Sequence, residues 1–322
     1  VRRPVHLTGD NITFVRKVEE VHLPGDVVGL ELNTLSAADY LRVSVMLGGR
    51  RVVNASAIMR AARAVKTPFE IEKITESGRR QEAVYRNIAA LYRSGMSDID
   101  LQIEIERALR KAGCLGQFRI SGDSMELFMG NILVGDNADN PTPYDFAMGG
   151  AGIDPSLPVG ADGTVIAPGN SVMVDANGNF NGYMTDMTRT YALGELPELA
   201  RRAHDCSIAI CVSLARSGVP GTKASALYEE AVRIVREAGL EKYFMGHRQH
   251  AGFVGHGVGI EINELPVIAP RSRDILERGN VIALEPKFVI PGTGAVGIEN
   301  TYVVEDNGMR CLTNAPTEIL PL

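Results

Sequence analysis

From Thr67 onward the hydrophobic positions alternate between helical and strand spacing, with clear punctuation between the runs. Thr67-Pro68-Phe69-Glu70 combines an N-cap hydroxyl, a proline at the first helical position and a glutamate placed to close a capping box. A helix is therefore predicted from Thr67 to about Tyr92, stopping near Gly95. Arg93-Ser-Gly-Met96 then leads into an amphipathic helix over Asp98–Ala112 that ends at Gly113. The same order returns later: Arg216-Ser-Gly-Val219 leads into Lys223–Ala238, which ends at Gly239. Glycine beyond the last turn explains both stops, and the repeated context predicts a pseudo-duplicated domain. Strands are expected after each helix pair, at Asn131–Val134, Ser171–Ala176 and Tyr183–Leu193, then at Asn280–Ile290 and Ala295–Glu305. Runs of helices followed by runs of strands indicate an α+β fold with an antiparallel sheet.

Residues 1–65 read differently. Short β-like runs at Val27–Leu32 and Val43–Leu47 and a helical stretch near Ala55–Val65 suggest a small α/β unit, so the domain boundary is placed just before Thr67. The expected organisation is a partial N-terminal domain over 1–66 and a large domain over 67–322. Val1 opens a segment that does not look like a domain start, and further residues are expected upstream.

Composition narrows the possibilities. Of 322 residues, 45% are hydrophobic and 22% charged, enough to bury a core, and the net charge of −6 comes without a basic strip that could track phosphates. Nucleic acid is therefore not an expected partner. The apolar run Ser207–Leu214 is far short of a membrane span, so no membrane partner is expected either. Cys114, Cys206, Cys211 and Cys311 show no CxxC pattern and are read as free thiols of a reducing compartment. With no secretory signal, the sequons at Asn11 and Asn54 carry little weight, and a cytoplasmic location is expected. The glycines of Gly149-Gly-Ala-Gly152 lack a strand–GxGxxG–helix context and are read as a loop; Met125, Met129 and Met148 are read as core.

The candidate chemistry lies in five residues. Asp175 ends the apolar run Ser171-Val-Met-Val-Asp175, Asp186 lies on the return strand, and Asn177-Gly178-Asn179 between them signals a hairpin turn. Buried carboxylates are costly unless paired or bound to a cation. His256 sits between glycines in Gly255-His256-Gly257, which lets the backbone approach a neighbour closely. Glu285 precedes Pro286, which cannot donate to a ladder, so strand pairing should break beside it. Glu299 follows the turn Pro291-Gly-Thr-Gly294 on the second arm of another hairpin. Four carboxylates and one imidazole suit two divalent ions such as Mn, Fe, Co or Zn.

In order and local context these segments resemble the prolidase, aminopeptidase P and methionine aminopeptidase family, whose catalytic domain has the pita-bread (creatinase-like) fold. Thr185-Asp-Met-Thr-Arg-Thr190 and Gly297-Ile-Glu-Asn-Thr301 are closest to the Xaa-Pro dipeptidase and aminopeptidase P branch, and the likeness covers residues 66–322, with 27–65 similar to the tail of that branch's N-terminal domain. The resemblance implies a dinuclear site with Asp175 on one ion, His256 and Glu285 on the other, and Asp186 and Glu299 bridging. It further implies that the ions activate water and polarise the scissile carbonyl while Glu285 moves the proton. The expected activity is hydrolysis of Xaa-Pro bonds in dipeptides or at peptide N-termini, with manganese the first-choice metal and a homodimer the expected assembly.

The chain departs from the family around the substrate. Val159, Asn263 and Gly252 stand where the family carries histidines. Asn263 can still donate a hydrogen bond and His250, out of register, is a candidate replacement donor; both are taken as catalytic candidates with Glu285. Two alternatives stay open. One is a two-metal lyase or amidohydrolase acting on a small non-peptide substrate. The other is an inactive binding module of the same fold, which would be expected to lose metal ligands, whereas all five are present.

Overall fold

The computed structural model describes residues 26–119, 129–144 and 148–322, which divide into a unit ending at Ala62 and a unit spanning Arg63–Leu322. Asn11 and Met125 lie outside the described residues.

In the smaller unit, strand β1 (Val27–Leu30) pairs in parallel with β2 (Arg51–Asn54), with helix α1 (Ala37–Met46) between them and α2 (Ser56–Ala64) after. The strand expected at Val43–Leu47 is thus the end of α1. The N-cap of Ser36, whose side chain accepts the Asp39 N–H, starts a helix that carries the β-branched Val43 and Val45 along.

The larger unit begins with α3 (Pro68–Tyr85), opened by the capping box between Thr67 and Glu70. It stops earlier than its sequence suggests, and a separate 3₁₀ turn covers Ile88–Leu91. Helix α4 (Asp98–Lys111) follows, with a second capping box between Ser97 and Asp100. Then come β3 (Gly130–Val134), β4 (Ser171–Asn179) and β5 (Met184–Ala192), paired antiparallel in that order. Helices α5 (Glu198–Ser217) and α6 (Ala224–Ala238) open the second half, and Gly239 ends α6 in the left-handed region. The second half carries β6 (Gly255–Gly257), β7 (Glu264–Ile268), β8 (Val281–Leu284), β9 (Lys287–Ile290), β10 (Gly294–Gly297), β11 (Asn300–Glu305) and β12 (Gly308–Cys311). Of these, β12-β11-β8-β6-β7 form one antiparallel sheet and β10-β9 a hairpin. A short β13 (Leu320–Pro321) adds a parallel edge to β5, the exception to the antiparallel expectation in this unit.

The hairpin turn expected between the two aspartates lies elsewhere. Asn177-Gly178-Asn179 is strand rather than turn: Gly178 pairs with Thr185, and a Cβ there would lie 2.5 Å from the Thr185 hydroxyl, so glycine allows the strands to close. The turn moves to 180–183, where the Asn179 side chain accepts the Gly182 N–H. The two long strands of the second half each break in the middle, at Glu285-Pro286, as expected from the proline there, and at Ile298-Glu299. Their hydrophobic faces join α5 and α6 in the largest cluster of buried side chains, while β3, β4 and β5 pack on α3 and α4. Met129 and Met148 are buried, Gly149–Gly152 is loop, and the four cysteines are free. Among the described residues no helix is long and apolar enough to cross a membrane.

Candidate metal centre

The five side chains converge from both halves of the larger unit. On the β4–β5 hairpin Asp175 pairs with Thr188 and Asp186 with Asn177, so the two aspartates are diagonal neighbours on one face. Tyr85 of α3 fixes this hairpin from behind. Its phenol donates to the Met187 carbonyl at 2.5 Å and accepts the Ala176 N–H at 3.0 Å, gripping the residue after each aspartate.

His256 is reached through close backbone packing. A Cβ at Gly255 would lie 2.5 Å from the Ala283 carbonyl, and one at Gly257 2.2 Å from that of Leu265, so both glycines are required for β6 to fit between its neighbours. The Nδ1 atom of His256 lies 3.1 Å from the Gly257 carbonyl, which leaves Nε2 to face the acids. From Nε2, Glu285 Oε1 is 3.2 Å away and Asp186 Oδ2 4.0 Å.

Glu299 sits in the break between β10 and β11. Gly297, at φ +140° and 2.7 Å from the Pro286 carbonyl measured from an added Cβ, makes the bend that turns Glu299 inward. Thr188 holds it twice: their main chains exchange hydrogen bonds at 3.1 and 3.3 Å, and the Thr188 hydroxyl donates to Oε2 at 2.7 Å. Thr301 likewise receives the Asp186 N–H and donates back to its carbonyl, both at 2.9 Å. The two sequence segments that carried the family resemblance are therefore bonded to each other.

The acids and the imidazole form two groups that share Glu299: Asp186, His256 and Glu299 on one side, Asp175, Glu285 and Glu299 on the other. Within each, candidate ligand atoms lie within 4.8 Å of one another. The first group fits a divalent ion, with one nitrogen, carboxylate oxygens and, at Glu299, a buried Oε1 that has no hydrogen-bond partner among the described residues. The second group is different. It surrounds the ammonium of Lys287, whose Nζ is 2.8 Å from Asp175, 2.8 Å from Glu285 and 3.2 Å from Glu299.

Burial is the largest influence on these groups, and the charges crowded around them come second. Burial and the Asp175 charge push Asp186 up to about 7, and burial and the Asp186 charge push Glu299 well above the usual carboxylate range. Burial acts on Glu285 in the same direction, but the Lys287 charge and the His256 hydrogen bond outweigh it and hold Glu285 down at about 2. Burial lowers the proton affinity of His256, and the bond to Glu285 and its charge more than restore it. The surplus of negative charge on the Asp186 side is what a cation would neutralise.

The remaining candidates stand apart from this cluster. His250 is exposed, and its Nδ1 lies 2.9 Å from the Phe244 carbonyl. Asn263 is half-buried in the loop before β7, a loop ordered by Glu264, which accepts the Ile260 and Glu261 N–H groups and pairs with buried Lys66 at 2.8 Å. Neither His250 nor Asn263 bonds to the five central side chains among the described residues. Val159 is buried, and Gly252 is exposed with open space around it. Lys287 was not among the sequence candidates. Its signal is a lone cation in the otherwise apolar run Phe288-Val-Ile290 beyond Glu285-Pro286, two residues from an acid and so on the same strand face.

The profile of metallopeptidase family M24 matches residues 72–306. An uncharacterized peptidase, YqhT, of Bacillus subtilis is 29% identical over 300 residues, which is 92% of this chain and 75% of that protein. The Xaa-Pro dipeptidase of Pyrococcus furiosus is 34% identical over 155 residues, 48% of this chain and 43% of its own length. Among solved structures, an Xaa-Pro dipeptidase from Bacillus anthracis superposes with a TM-score of 0.78 at 26% identity, over 96% of this chain and 78% of that one. The X-Pro aminopeptidase of Thermotoga maritima, at 22% identity and a TM-score of 0.79 over 97% and 78%, shares the fold.

Proposed function

We propose that this chain, which belongs to metallopeptidase family M24 and has its pita-bread fold, hydrolyses Xaa-Pro bonds in dipeptides or at peptide N-termini with a divalent ion held by Asp186, His256 and Glu299. The observation that carries the reading is that Glu299, in a group of two carboxylates and an imidazole, has a buried oxygen with no partner among the described residues. Relatives described as Xaa-Pro dipeptidases support the substrate class.

A bound divalent ion would supply Lewis acidity for the scissile carbonyl and for the attacking water. The protein's own groups do the rest. Glu285 is held ionised by Lys287 and His256 beside the metal group, so it is present as the carboxylate that a proton-transfer role requires, though as a weak base while both partners hold it. Thr188 holds the Glu299 carboxylate, and Thr301 holds the main chain at Asp186. The Nδ1 contact to Gly257 sets the imidazole plane.

A lyase or amidohydrolase acting on a small substrate is the second reading. It is favoured by the engagement elsewhere of the two imidazoles that precede His256 in the sequence: His247 is tied to Asp139 at 2.9 Å and His250 to Phe244. The test is hydrolysis of a panel of Xaa-Pro dipeptides and longer Xaa-Pro peptides with Mn, Co, Fe or Zn. Release of the N-terminal residue in a metal-dependent manner supports the peptidase. A metal-loaded chain inert on every peptide would end that assignment.

A further inference from the structure

We propose that the Lys287 ammonium occupies the place of a second metal ion, so that the centre takes a single divalent ion per chain, between Asp186, His256 and Glu299. The inference rests on the metal-dependent reading above and changes its stoichiometry: the two-ion site expected from the sequence becomes one ion beside a built-in organic cation.

Three observations carry it. The first is position. Asp175, Glu285 and Glu299 present carboxylate oxygens to one point, and Nζ of Lys287 stands at that point. A divalent ion held by carboxylates sits about 2.0–2.2 Å from their oxygens. Placed among the same three acids, it would overlap the nitrogen that already lies 2.8 to 3.2 Å from them. One cation excludes the other.

The second is saturation. An ammonium has three donors, and here each meets one carboxylate, so none is left over for a substrate or a water. Lys287 is therefore a positioning residue: it draws the two hairpins together through Asp175 and Glu299, and it keeps Glu285 ionised. The side chain is also fully enclosed, at 0% exposure, and its strand is buried at every position. No exposed alternative is open to it without parting β9 from its neighbours.

The third is the contrast between the two groups. Each acid around Lys287 places an oxygen on the ammonium, while the other oxygen of Glu299, Oε1, is buried with no partner among the described residues, and Glu299 also belongs to the group with Asp186 and His256, neither of which bonds the ammonium. Ammonium and divalent ion together would bring three positive charges against the four carboxylates, which suffices to hold them without a second metal.

The count of bound ions tests this. The full chain is stripped with chelator, dialysed against excess Mn(II) and then against buffer, and assayed by elemental analysis, with Mn electron paramagnetic resonance in parallel. Wild type is expected to retain one ion with the spectrum of an isolated Mn(II). Lys287→Met and Lys287→Gly are expected to retain two, with the signal broadened by coupling between neighbouring ions. Circular dichroism establishes that each variant is folded. Two ions in wild type, or one ion in both folded variants, would overturn the proposal. If neither variant folds, the wild-type count still decides, one ion sustaining the proposal and two ending it. No ion in wild type would overturn it together with the metal-dependent reading. One ion with no cleavage of any Xaa-Pro peptide would remove the substrate assignment and leave this inference standing.

Discussion

Replacing Arg189 with lysine keeps the charge and removes the fork, and the effect can be worked out from the bonds. Arg189 is wholly buried and has no carboxylate partner among the bonds it makes. Its guanidinium serves five acceptors at 2.8 Å or less: the carbonyls of Thr188, Glu299, Ala315 and Pro316 and the side-chain oxygen of Asn300. It thereby clamps β5, the Glu299 bend and the C-terminal segment around one plane. Lysine has three donors on one nitrogen, so at least two of these five bonds are lost, although the Thr188 and Glu299 carbonyls keep each other's N–H. At about 1.5–3 kcal/mol for each bond made by a charged donor, Arg189→Lys should cost about 3–6 kcal/mol. That is a large part of the roughly 5–15 kcal/mol that separates most folded proteins from their unfolded chains. In a unit of this size a loss of about 4 kcal/mol corresponds to a fall of roughly 8–16 °C in melting temperature. Thermal unfolding followed by far-ultraviolet circular dichroism reads this directly. Because the Glu299 carbonyl is one of the five acceptors, Mn(II) affinity should drop in the same variant. A melting temperature within about 2 °C of wild type would refute the reasoning, since it would mean that a single ammonium can replace the planar fork.

Other expectations follow from the same geometry. Glu285→Gln should lower turnover on Xaa-Pro substrates by at least ~10²-fold with metal content unchanged, the usual contribution of a proton-transfer group; near-normal turnover would show that the carboxylate is dispensable. Asp98, at the start of α4, is pushed up to about 6 by burial, against the pull of the Asp162, Gly163 and Ile99 N–H groups it accepts. Its folded-state value lies above the unfolded one, so its contribution is full below about pH 4 and is lost as pH rises through about 6. Urea midpoints should therefore fall more steeply over that window in wild type than in Asp98→Asn, and parallel curves would count against the assignment. His250→Ala should leave turnover within about twofold of wild type, since surface substitutions away from the site seldom matter; a large drop in kcat at unchanged metal content would return His250 to the catalytic set.

The alternation of strand and helix spacing, the capping box at Thr67 and the glycine stops were legible because each depends on a few neighbouring residues. The five central side chains were legible for a related reason: acids are rare inside apolar strand runs, so each stands out in its own segment. What failed were choices that depend on partners far away. Val43 and Val45 read as strand until the Ser36 cap sets the helix register. Gly178 reads as turn until Thr185 is found opposite, needing the space its missing side chain leaves. Lys287 reads as an ordinary strand lysine until Asp175, 112 residues earlier, is brought to its ammonium. Val159 and Asn263 could be noticed only as departures from a family pattern, and neither is bonded into the central cluster among the described residues.

That 112-residue separation has a consequence for the protein's birth on the ribosome. The β4–β5 hairpin emerges carrying two acids destined for burial, while the ammonium that will meet one of them is still to be translated. At about 5–20 residues per second, the interval is roughly 6–22 s. Through that time the hairpin cannot bury Asp175 and Asp186 against a finished second half, and its apolar neighbours Met173 and Met184 must wait with them. The nascent chain thus spends seconds with a sticky, acid-bearing ribbon exposed, and its passage to the native state depends on that ribbon being kept from other partners until the second hairpin arrives.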